Sequence, residues 1–196
     1  MLYGRPKAVL SLNRMKNIIL GLSLISLTLG FSNPVIADEK NNAISIFRGT
    51  VTEDELKFPI PEFEDAWQFG INYNRSLKRL NRFRFEFDTS IFQYYGEQDH
   101  WEVTAAVVVR YYLIKDRLSF AVGDGFSYAS DIPDLERRRH INTSQILNFV
   151  LLELAVDINS FSALAMRWHH RSGIWGLIND VEGGSNSVQF GVRYKF

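Results

Sequence analysis

Apolar side chains occupy every second position through most of this chain, and a period of two is the signature of a β-strand. The last segment shows it plainly. Val188, Phe190, Val192, Tyr194 and Phe196 take one face, while Gln189, Arg193 and Lys195 take the other. From Arg82 to Tyr94 the contrast is sharper, with Phe83, Phe85, Phe87, Thr89 and Ile91 against Arg84, Glu86, Asp88 and Ser90. A one-residue slip in either segment would move every charge to the greasy side, so the register is strongly specified.

Eight segments carry this pattern: Ala43–Gly49 (weakly), Ala66–Asn74, Arg82–Tyr94, Trp101–Ile114, Arg117–Ala129, Thr143–Val156, Phe161–Ser172 and Asn186–Phe196. The connections between them alternate in length, with loops at 50–65, 95–100, 130–142 and 173–185 and turns at 75–81, 115–116 and 157–160. An up-and-down meander whose long loops all fall at one end is the pattern of an outer-membrane barrel. Six of the eight segments reach the ~9 to 11 residues that a tilted strand needs to cross a bilayer. Hydrocarbon tolerates no unpaired sheet edge, so the expected fold is all-β: an eight-stranded antiparallel up-and-down transmembrane β-barrel. Eight strands leave a lumen that side chains fill, which argues against a pore. Inward-facing Arg84, Glu86, Asp88, Glu102, Arg110, Glu153 and Arg193 are expected to pair inside it. The soluble alternative, a secreted β-sandwich or lipocalin-like cup, is disfavoured by the length of the apolar faces, by Trp and Tyr near strand ends, and by the terminal aromatic.

The first 37 residues read differently. Lys7, Arg14 and Lys16 precede the apolar Ile18–Phe31, and Val35-Ile36-Ala37 sets small residues at −3 and −1 of a cut after Ala37. This is the layout of a cleaved secretory signal over 1–37, with 38–196 as the mature barrel. Initiation at Met15 would give a signal of 23 residues, a more usual size. Removing 1–37 takes away four Lys/Arg and no acid, leaving 18 basic against 22 acidic side chains, a balance that excludes nucleic acid as a partner. The absence of Cys excludes disulfides and thiol chemistry in this exported chain, and no ligand cluster argues for a metal or other cofactor. A homodimer is left open.

With an even strand count both termini lie on the periplasmic side, and the connection between the last two strands faces outward. Leu164, Met166 and Trp168 share a face that continues into His170 and Ser172, so a nucleophile and a base sit ~6.6 Å apart on the lipid-facing side, near the acyl-ester level of the outer leaflet. Taken alone, His-x-Ser also fits a barrel that has reached the polar interface. His169 has lumen parity and a structural role. Asp124 interrupts an apolar face, either at the interface or swung inward at a bulge by Gly123 and Gly125. Arg137-Arg138-Arg139-His140 lies in an outer loop, either as a cradle for lipid phosphates or as a solvated charge run balanced by Glu136.

His170-Arg171-Ser172, a Gly-containing loop, Gly183-Gly184-Ser185-Asn186 and the final Tyr194-Lys195-Phe196 resemble the PagL family of outer-membrane lipid A 3-O-deacylases. The likeness in strand order spans residues 43–196, and side-chain identity is concentrated in the last hairpin. The resemblance implies a serine esterase on the lipid-facing wall that removes the 3-position acyl chain of lipid A in lipopolysaccharide, with Ser172 as nucleophile and His170 as base. The family's acid follows its Ser by twelve positions, and here that position is Gly184. Counted back from the C-terminus it falls on Asn186, an amide able to fix a His tautomer through a diagonal cross-strand contact. Glu182 is the nearest carboxylate and the alternative orienter. Gly173 stands where the family often has Asn, and its N–H is the expected oxyanion donor. Two rival functions remain: a non-catalytic small barrel acting in adhesion or envelope integrity, and an acyltransferase using the same Ser.

Overall fold

The computed structural model describes residues 40–53, 62–114 and 117–196. Eight antiparallel strands follow the chain in order and close on themselves: β1 (Asn42–Thr52), β2 (Phe63–Leu80), β3 (Phe83–Gly96), β4 (Trp101–Ile114), β5 (Leu118–Ala129), β6 (Ile146–Asp157), β7 (Ser162–Ser172) and β8 (Gly184–Lys195). One short helix, α1 (Asp134–Arg139), sits in the β5–β6 connection. The expected fold class is thus the observed one. β1 pairs with β8 over ten residues, from Ala43↔Lys195 to Thr52↔Asn186, and that ladder removes the last free edge. The expected signal over 1–37 and the turn at 115–116 lie outside the described residues.

Polarity is inverted relative to a water-soluble protein. Ile46, Phe69, Ile91, Phe126, Phe190 and Val192 lie about half exposed or more on the outer wall, while Arg167, Glu153, Glu86 and Asp88 are buried inside. Such an exterior is stable against hydrocarbon, where a closed ladder pairs each strand with its two neighbours. The C-terminal strand has the predicted parity: Gln189 and Arg193 point in, and Phe190, Val192 and Tyr194 point out.

The lumen is filled in layers. Near the termini Glu153 accepts from Arg110 (2.8 Å), Arg167 (2.8 Å) and Arg193 (2.7 Å), while Glu86 and Asp88 hold the far sides of Arg110 (2.9 Å) and Arg167 (2.9 Å). Arg167 shares the inward parity of the expected ion-pair set, and the set as read from the sequence omitted it. Arg84 lines the terminus end of the lumen beside Glu86, half-buried with its guanidinium 5.5 Å from the Tyr112 ring. Above this layer Phe47 and Phe92 lie across Gly191 and Gly70, where any Cβ would collide with the rings. His169 packs against Phe92 and Phe149 and bonds Glu102 at 3.1 Å, the structural role its parity predicted.

Several boundaries move. The basic stretch 75–81 is not a turn, because β2 runs on to Leu80 with a register shift between Ser76 and Lys78, and only Asn81 and Arg82 separate it from β3. Asn81 takes φ 56°, a left-handed conformation that Asn tolerates better than most residues. Its charges mark where the wall leaves the apolar band, rather than where the strand ends. β1 likewise extends past Gly49 to Thr52, and β6 starts at Ile146, because Asn142 to Gln145 belong to the loop that carries α1.

α1 closes the loop end of the barrel. Leu135 is buried, and Glu136 reaches Arg171 (3.2 Å) and Ser185 Oγ (2.7 Å). Burial raises the Glu136 carboxyl above its usual range against the opposing pull of Arg171.

Candidate active site

β7 and β8 present the site at their loop ends. Because β-strand side chains alternate, Trp168, His170 and Ser172 stand on the outer face, half-buried, while His169 and Arg171 between them are buried inside. His170 and Asn186 are direct cross-strand partners, closer than the diagonal relation expected from the sequence. His170 Nδ1 lies 2.7 Å from Asn186 Oδ1. An amide oxygen only accepts, so this bond puts the proton on Nδ1 and leaves Nε2 as the basic nitrogen. The Trp168 indole stacks on the imidazole at 5.0 Å and 12°, which restricts ring rotation from below. Glu182, the alternative orienter, is exposed beside Gly176.

Ser172 lies opposite Gly184 on β8 and Asn148 on β6. Its Oγ accepts from Ile174 N–H at 3.3 Å. The expected oxyanion donor is corrected here: the Gly173 N–H donates to Gly183 O at 3.1 Å and is engaged in closing the loop. Glycine is needed at 173 for space, since a Cβ there would lie 1.9 Å from Val181 O. The following turn is strained. Ile174 and Trp175 adopt φ 52° and 51°, and Asn179 and Asp180 φ 54° and 56°. For a β-branched residue such as Ile174 this conformation costs about 1 to 2 kcal/mol, and backbone strain of this kind clusters at functional sites. Hydrogen bonds hold the turn in place, from Ile178 N to Gly173 O (2.9 Å) and from Asn179 Nδ2 to Ser144 Oγ (2.8 Å).

Asn148 is a residue that sequence reasoning passed over. It interrupts the outward series Ile146, Val150, Leu152 with an amide, which was the available signal. Its Nδ2 donates to Asp124 Oδ1 (2.9 Å) and Gly125 O (2.9 Å). Asp124 therefore stays on the outer wall rather than swinging inward. The ladders either side of β5 run without a register shift at Gly123–Gly125, so of the two alternatives for Asp124 the inward swing at a bulge is the one not seen. A polar band from Asp124 through Asn148 to Ser172, His170 and Asn186 thus crosses four strands, β5 to β8, on an otherwise apolar face.

The three arginines of α1 lie apart from this band. Arg137 pairs with Asp131 (3.7 Å) and Asp134 (3.8 Å), Arg138 with Glu97 (2.8 Å), and Arg139 with Glu64. They form a charge cluster at the rim that these four acids balance, whereas Glu136, the partner expected from the sequence, is buried against Arg171. His140 instead packs on Gly183 and contacts the backbone of Gly184 at 3.2 Å, bracing the start of β8. Among the described residues no group of His, Asp or Glu is arranged to hold a metal ion.

No family model matches the chain, and no curated protein does. Solved structures do. The N-terminal β-barrel domain of Pseudomonas aeruginosa OprF superimposes with a TM-score of 0.56 at 12% identity, over 81% of this chain and 98% of that domain. Neisserial surface protein A matches with a TM-score of 0.50 at 15% identity, over 81% and 98%. The outer membrane enzyme PagL matches with a TM-score of 0.50 at 15% identity, over 77% of this chain and 97% of its own. At such identities the likeness is one of fold, and the fold is that of the closed eight-stranded outer-membrane β-barrels.

Proposed function

We propose that this protein resides in the outer membrane and is a serine esterase that hydrolyses the ester-linked acyl chain at the 3-position of lipid A, working at the outer leaflet. The observation that carries the reading is the 2.7 Å bond from His170 to Asn186, with Ser172 two residues further along the same lipid-facing strand. Asn186 fixes the tautomer, so His170 Nε2 takes the Ser172 proton as Oγ attacks the ester carbonyl. The C=O electron pair moves to oxygen, and the Ile174 N–H, which lies beside Oγ, serves as a backbone donor to the developing charge. Collapse expels the sugar oxygen, which collects the proton from His170 and leaves an acyl-Ser172. Water, deprotonated by His170, then releases the fatty acid and restores Ser172. An eight-stranded wall open to lipid suits this chemistry, because the scissile ester never has to leave the leaflet.

A second reading, a non-catalytic barrel in adhesion or envelope integrity, draws on the amide at 186, where a carboxylate would better stabilise an imidazolium. Mass spectrometry of lipid A from cells expressing wild type, Ser172→Ala, His170→Asn, Asn186→Ala and Glu182→Ala separates the two. Wild type and Glu182→Ala should lose one hydroxyacyl mass, Ser172→Ala and His170→Asn should lose none, and Asn186→Ala should retain a fraction of the activity. Deacylation by Ser172→Ala would end the esterase mechanism. Unchanged lipid A in wild type would favour the non-catalytic barrel, and a gain of acyl mass would identify a transferase.

A further inference from the structure

Arg48 stands on the outer face of β1, exposed, between Phe69 of β2 and Phe190 of β8 and above Ile46. A cation on the lipid-facing wall costs ~2 to 4 kcal/mol at the midplane and little near the interface. Its Cα is four residues short of the loop end of β1 at Thr52, ~13 Å of strand, which at a tilt of ~45° is roughly 10 Å of depth. The side chain climbs out of that depth. Its guanidinium carbon lies 5.9 Å from the ring of Trp67, which is a full pleat nearer the loop end than Arg48's own partner Phe69. Trp67, Phe69 and Tyr95 wall a groove around it on the outer surface. Among the described residues no carboxylate pairs with Arg48. The rim acids Glu64 and Glu97 are held by Arg139 and Arg138, and Asp65, one pleat above Trp67, is exposed at the rim where water screens it.

We propose that this groove binds the phosphate-bearing headgroup of an outer-leaflet glycolipid. Lipid is what covers this wall, and phosphate is the lipid group whose charge and planar oxygen pairs match a guanidinium fork. The aromatic walls then receive the adjoining acyl chain, while the cation–π contact with Trp67 holds the fork toward the headgroup level. The groove lies on β1 to β3 and Ser172 on β7, so the site holds lipid whether or not Ser172 is a nucleophile. It shares only the outward orientation of the loop end with the proposal above.

The test uses the full mature barrel in detergent with Ser172→Ala, so that no lipid is consumed. Native mass spectrometry counts bound lipid during titration with bisphosphorylated lipid A, with lipid A stripped of its phosphates, and with inorganic phosphate as competitor. Arg48→Gln should weaken binding of the phosphorylated lipid about tenfold or more, the loss expected for one charge-assisted contact. The dephosphorylated lipid should bind both proteins alike, and inorganic phosphate should not displace the lipid. Because Arg48 is at the surface, Arg48→Gln should still migrate as a folded barrel on an unheated gel. Equal affinity of the two proteins for phosphorylated lipid A, or displacement by inorganic phosphate, overturns the proposal.

Discussion

Replacing Glu153 with Gln tests the lumen most directly. Three acids (Glu86, Asp88, Glu153) and three arginines (Arg110, Arg167, Arg193) form a neutral, buried set. Glu153 is its hub, accepting from all three arginines at 2.7 to 3.0 Å. Gln keeps the volume and removes the charge, leaving the set at +1. Arg110 and Arg167 retain Glu86 and Asp88, but Arg193 keeps only Ser45 Oγ at 3.3 Å. Removing one partner of a buried pair costs about 3 to 5 kcal/mol, because the desolvated charge left behind has nothing to offset it. The cost should therefore concentrate on Arg193. Urea unfolding in lipid vesicles, followed by the heat-dependent gel shift of closed barrels, should show a loss of about 3 kcal/mol or more for Glu153→Gln. Adding Arg193→Met should restore much of it, since the double variant is neutral again. A loss below about 1 kcal/mol for Glu153→Gln, or no rescue by Arg193→Met, would refute the view that the lumen is held by charge balance.

Asn186→Asp places a carboxylate against His170 Nδ1 and should match or exceed wild-type turnover of lipid A, whereas Asn186→Ala should fall by about tenfold or more; the ratio is read from the same lipid A spectra. Ile174→Gly relieves φ 52° but also removes a buried side chain, so the barrel should lose about 1 to 3 kcal/mol net in denaturation curves, and deacylation should slow if the strained turn aims the Ile174 N–H. Burial pushes the His100 imidazole in the β3–β4 loop down to about 4 from 6.5. The folded state thus favours the neutral ring. Its contribution is complete above about pH 6.5 and is lost as pH falls toward 4, by at most about 3 kcal/mol, so wild type minus His100→Gln stability should shrink between pH 7.5 and 4.5 in parallel denaturation curves.

Alternation by itself determined the fold class, the strand count and which side chains face lipid, because a two-residue period leaves each position one choice of face. Gln189 and Arg193 inward, Phe190 and Val192 outward, and His170 and Ser172 on the same side as Trp168 were all legible from that rule. So was the structural role of His169. The contact of Asn186 with His170 was half legible, since parity put Asn186 on the same face. The direct pairing that brings its Oδ1 to the imidazole, however, depends on the β7–β8 register, which the length of the intervening loop does not fix. The rest needed the closed barrel. Glu136 in the lumen, Asp124 held by Asn148, and Arg48 turned up toward Trp67 are contacts between residues 19 to 35 positions apart. Local pattern carries no information about such contacts. The engaged N–H of Gly173 belongs to the same class, because a loop's hydrogen bonds are decided by how its two ends are held, and here strands β7 and β8 hold them.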